Sequence, residues 1–93
     1  MQEAVAAYRA ALEVRTREAV AMGWAITQEN LALLFEVMAD QGDEPQEKLE
    51  AALEAVSGAL EVYREVRATY DIGTAERLEA RLRERLAALE GSS

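Results

Sequence analysis

Apolar positions along this chain recur at steps of three and four, the spacing of a helix face. Residues that favour strands are too few and too scattered to build a sheet. Four segments carry the helical pattern. In the first, about residues 3–22, Val5, Tyr8 and Leu12 line up with the small residues Ala4, Ala7 and Ala11. Arg9, Glu13, Arg15 and Arg17 are placed for solvent. A break is expected at Met22-Gly23-Trp24, where Gly23 is the sole punctuator and no proline enforces it. The second segment, about 24–39, carries Leu31, Leu34, Phe35 and Met38, with Trp24 extending the stripe. Asp40 to Pro45 is the clearest loop: a glycine to end one helix and a proline suited to the first turn of the next. The third segment, about 45–69, has Leu49, Leu53, Val56, Leu60, Tyr63, Val66 and finally Tyr70 at steps of four and three. Gly58 sits in its middle, at a cost of up to about 1 kcal/mol against alanine, and marks a close helix approach or a bend. Tyr70 to Thr74 reads as a turn, with Asp71 or Thr74 as N-cap. The fourth segment, about 74–90, sets Leu78, Leu82, Leu86 and Leu89 against a densely charged face, as expected of a terminal helix. The predicted fold class is all-α: about four helices in antiparallel pairs, in a single domain spanning residues 1–93.

Composition agrees. Nineteen Ala, fifteen Glu and nine Arg against one Pro and five Gly are a helix-forming set. A chain this short buries a small fraction of its surface, so it needs well-packed helices or a partner that covers the remainder. The formal net charge of −8 argues against nucleic acid and against anionic membrane surfaces as partners. It is compatible with basic partners, and solubility is the plainer reason for it.

Chemistry is thin. The chain has neither Cys nor His. Disulfides, thiolate chemistry, the usual nucleophile–base pairs and zinc sites are therefore ruled out. No enzyme activity, cofactor or metal is expected. Glu47, Glu50 and Glu54 share a helix face; paired carboxylates can do acid–base work or hold a hard cation, but a solvated acidic face is the ordinary reading. Asp40, Asp43 and Glu44 do not match the spacing of a twelve-residue calcium loop, and no glycine-rich phosphate loop is present. The aromatics Tyr8, Trp24, Phe35, Tyr63 and Tyr70 fall at helical spacing and read as core before binding surface. No signal-peptide pattern and no membrane span is seen, so a cytoplasmic protein is expected.

The sequence also repeats loosely. Ala11-Leu12-Glu13-Val14 recurs as Ala59-Leu60-Glu61-Val62, and Thr27-Gln28-Glu29-Asn30-Leu31 is echoed by Thr74-Ala75-Glu76-Arg77-Leu78. Ala4, Tyr8 and Ala11, and again Ala52, Val56 and Ala59, place a large residue between two small ones. Leu31, Ala32 and Phe35 pair a leucine with a small residue and an aromatic. In these respects the chain resembles tetratricopeptide repeat proteins. The run Trp24-Ala25-Ile26-Thr27-Gln28-Glu29-Asn30-Leu31 is similar to a variant found in long bacterial members. Several positions depart from that pattern: the usual glycine after the leucine is Ala32, Gln28 stands where Trp is common, and the closing proline is absent. The offset between repeats, 47 or 48 residues, exceeds the usual ~34.

The resemblance implies a right-handed solenoid fragment, with a helical bundle as the alternative, and a protein–protein interaction module or scaffold as the function. It places Ile26, Glu29, Leu33, Glu36 and Val37 on a partner-binding groove. Such a groove would suit a protein or peptide partner, a basic or amphipathic helix in particular. Leu33 and Val37 serve equally well as a packing surface for another copy. The array would begin in mid-unit and hold too few repeats to stand alone, so the expectation is either a piece of a longer array or self-association, with a homodimer favoured. The competing expectation is a purely structural bundle whose task is assembly, which a helix unbroken through Gly23 would favour.

Overall fold

The computed structural model describes the backbone from Gln2 to Gly91, and the side chains within it except those of residues 2–5, 8, 12 and 15. The described residues form three helices: α1 (Gln2–Asp40), α2 (Pro45–Glu65) and α3 (Thr69–Gly91). No strand occurs among them. None of the three helices is long and apolar enough to cross a membrane. The molecule is elongated, 69 × 20 × 14 Å.

The expected break at Gly23 is absent, so the first two predicted helices are one. Glycine in a helix interior costs only about 1 kcal/mol, and without proline no backbone hydrogen bond is forfeited. The site is also open, with no atom near where a Cβ would stand. Thr27 Oγ1 donates to the Gly23 carbonyl at 2.9 Å, one turn along the same helix.

The Asp40–Pro45 loop forms where predicted. α1 closes in a Schellman motif: Asp43 N–H donates to Met38 O at 3.1 Å and Gly42 N–H to Ala39 O at 3.0 Å. Gly42 takes the left-handed conformation this needs, φ 81°. Glu44 then sits at φ 43° and Pro45 opens α2 without a side-chain cap.

The second turn is displaced from its predicted place. α2 ends at Glu65, and α3 has already begun at Thr69, so Asp71, Gly73 and Thr74 lie inside the helix. Thr74 Oγ1 donates back to the Tyr70 carbonyl at 3.1 Å and caps nothing. The actual turn is another Schellman motif: Ala68 N–H donates to Tyr63 O at 2.9 Å and Arg67 N–H to Arg64 O at 3.3 Å. Here the left-handed residue is Arg67, φ 57°. A side chain with a Cβ is strained in that conformation by roughly 1–2 kcal/mol.

α2 is the central helix. It packs on α1 with one side and on α3 with the other. Its buried residues are Leu49, Ala52, Ala55, Val56, Ala59, Leu60 and Tyr63. α3 contributes Ala75, Leu78 and Leu82. α1 contributes only alanines to the fully enclosed core: Ala25, Ala32 and Ala39, seven residues apart. Met22 and Phe35 pack at the edge of this cluster. The predicted second stripe is therefore corrected. Leu34 is about half exposed, 49%, because the alanine row, about a hundred degrees or more away around the helix, takes the side facing α2. Gly58 marks the close approach expected of it: a Cβ there would come within 3.1 Å of Trp24 Cη2. Trp24 thus lies across α2 with its outer side in solvent.

Replacing Arg67 by Gly relieves the backbone strain in the second turn. We expect about 1 kcal/mol of added stability, read as a rise of about 4–8 °C in Tm at fixed protein concentration.

Candidate functional site

α1 is 39 residues long, about 58 Å at 1.5 Å per residue, whereas the 21 residues of α2 span only about 32 Å. The surplus is at the N-terminal end. All described side chains from Ala6 to Val20 are exposed, on every side of the helix. The last contact with α2 comes where Thr16, Val20 and Trp24 border an open apolar groove beside Val62.

Beyond that point α1 has two apolar faces. One is the alanine face against α2. The other faces away from the rest of the chain and carries Ile26, Leu33, Leu34 and Val37, each between 41% and 50% exposed. A helix that is apolar all round is one that expects cover all round. Ala19, Gly23, Ile26, Asn30, Leu34 and Val37 follow one another at steps of three and four along this outer side, and all are exposed. Not one of them is charged, in a chain of net charge −8.

The predicted groove residues divide accordingly. Ile26, Leu33 and Val37 lie together on the outer side, as a docking surface requires. Glu29 and Glu36 turn inward. Glu29 Oε1 accepts a hydrogen bond from Tyr63 Oη at 2.8 Å. Burial, reinforced by that carboxylate, holds the Tyr63 phenol above the ordinary tyrosine range. Glu36 is buried, 8% exposed. It is gripped by Arg81 through two bonds of 2.7 and 2.8 Å. Arg85 Nη1 lies 3.2 Å from its other side and also pairs with Asp40. The charges of α3 therefore tie it to α1 across the top of α2. The hydrogen bond from Arg81 is the main reason the Glu36 carboxyl is held below its ordinary value.

The charged face of α3 was legible in the sequence as a solvent face. Its partners were not, because Arg81 and Arg85 meet acids 45 residues away. The other carboxylate group behaves as a solvated face: Glu47 is fully exposed, and its proton is held more tightly by the neighbouring Glu44. Among the described residues no three acidic side chains converge as a metal site would require. Ser57 Oγ donates to Glu79 at 3.3 Å, and Arg83 pairs with the same carboxylate at 3.5 Å, a minor second link between α2 and α3. Of the aromatics, Tyr63 is fully buried, Phe35 half-buried and Trp24 half-exposed, while Tyr70 is 81% exposed. Tyr8 lies outside the described side chains. No protein-family model, no curated protein and no solved structure matches the chain.

The lowered value at Glu36 gives stability a defined pH dependence. A carboxylate favoured in the folded state contributes fully above its ordinary value of 4.5 and loses that contribution as pH falls through the depressed folded value. Glu36→Gln is expected to lower stability by about 1–3 kcal/mol at neutral pH. The gap to the parent should then narrow as urea titrations are taken below pH 4.5. A gap that stays constant down to acid pH would contradict this role.

Proposed function

We propose that this chain is a protein–protein interaction element without catalysis of its own, and that it works by self-association. The carrying observation is the outer side of α1. Ile26, Leu33, Leu34 and Val37 are apolar and half exposed on the helix side that none of the chain's own helices covers. Four such side chains in one row exceed the scattered surface hydrophobes of an ordinary monomer.

Two architectures serve this function. The antiparallel α1–α2 contact, with Ala25, Ala32, Ala52 and Ala59 all fully enclosed, supports a tetratricopeptide-type pair, in which small residues let backbones approach closely. The unbroken α1 supports an assembly bundle, and we favour it. A groove for a basic peptide draws less support. Glu29 and Glu36, the acids that would attract it, already hold Tyr63, Arg81 and Arg85. A cytoplasmic setting, with neither nucleic acid nor membrane as partner, belongs to the same proposal.

Sedimentation velocity at micromolar concentration is expected to show a homo-oligomer. Leu33→Glu combined with Val37→Glu should convert it to a folded monomer with unchanged far-UV circular dichroism. A parent that sediments as a monomer across this range refutes self-association.

A further inference from the structure

The outer face of α1 has a feature that self-association alone does not explain: a glycine at its centre. Gly23 costs about 1 kcal/mol in a helix interior. Within this chain nothing comes near its Cβ direction, so no internal contact requires the missing side chain. A glycine on an exposed, uncharged helix face permits a second helix to approach closely, and Ala19 one turn earlier continues the low ground.

We propose that two copies of this chain pair through α1, antiparallel, crossing at Gly23. This specifies the partner and geometry of the self-association inferred above and rests on it. Three observations select a second copy in this orientation. The first is length. Residues 2–15 run beyond the groove that Thr16 and Val20 form with Val62, and the exposed row from Ile26 to Val37 lies on the other side of Gly23. An antiparallel pair lays the projecting half of each helix on the exposed row of the other; a parallel pair leaves both projecting halves together, away from the hairpins.

The second is charge. Arg9, Arg15 and Arg17 balance Glu3, Glu13 and Glu18, so the whole excess of −8 falls after residue 20. Antiparallel pairing brings a neutral arm onto an acidic body and separates the two bodies along the rod, where parallel pairing sets acid beside acid. The third is the face itself. About Gly23 as the two-fold point, the largely exposed Val20 meets Ile26, and farther out Leu33 and Val37 of one copy meet Glu13 and Arg9 on the arm of the other. With the two-fold point at Gly23 the helices overlap over residues 6–40, and a strip about 52 Å long and about 10 Å wide on each copy amounts to roughly 1,000 Å² in total, about the least that a specific interface buries.

The chain contains no cysteine, so single cysteines can be placed without background. Spin labels at Glu13→Cys and at Gln41→Cys, one on the flank of the proposed contact face and one at its end, report the geometry by pulsed dipolar spectroscopy. Antiparallel pairing about Gly23 predicts axial separations near 30 Å for the first and near 54 Å for the second, at ~1.5 Å per residue. Similar short distances at both positions would overturn the orientation while leaving self-association in place. A parent that sediments as a monomer would overturn both. Gly23→Leu, tolerated by the open site within one chain, is expected to raise the dimer dissociation constant at least tenfold with helix content unchanged. A dimer indifferent to that substitution would overturn the crossing point.

Discussion

Everything in this fold depends on α2 being covered from two sides by helices that come close enough to exclude water. Leu49, Val56, Leu60 and Tyr63 supply the volume. The alanines of α1 and the glycine at position 58 supply the proximity. Large side chains on one helix meet small ones on the next, so the layers interdigitate without voids. Each buried leucine contributes about 1.5–3 kcal/mol, but only while the neighbouring backbones stay near. With an all-alanine inner face, α1 brings little volume of its own. Met22, Trp24 and Phe35 pack only at the edges of that face, while Ile26, Leu33, Leu34 and Val37 point away, and from that division the proposed interface follows.

Electrostatics finishes what packing begins. α1 and α3 scarcely touch through their backbones, yet Arg81 and Arg85 reach past α2 to Glu36 and Asp40. Glu36 is the one charged side chain in the described core region. A buried carboxylate is costly unless fully partnered, and here both of its oxygens are engaged. No buried side-chain polar atom among the described residues lacks a hydrogen-bond partner.

Much of this was legible in the residue pattern: the all-helical class, the Gly42 loop with Pro45 behind it, the buried stripe of α2, the leucines of α3, and the close approach at Gly58. What misled was glycine as punctuation. Gly23 and Gly73 both lie within helices, while the second turn is made by Arg67. Glycine permits a left-handed turn but does not compel one, and a Schellman motif can form on another residue if packing on both sides outweighs the strain. Ala68 and Ile72 just beyond Arg67 do pack against the core. The inward turn of Glu29 and Glu36 was illegible for a different reason. Their partners, Tyr63 and Arg81, are 34 and 45 residues away, and no periodicity within one helix reports contacts over such separations.

The continuity of α1 has a mechanical meaning. A hydrogen-bonded rod about 58 Å long is a ruler: it sets the distance between its ends and the angle between them. The hairpin is clamped to one end by alanine packing and by the Glu36 cluster. Any body attached to the opposite end is thereby held at a fixed spacing and rotation from it, and inserting a single residue near Gly23 would rotate one against the other by about 100 degrees.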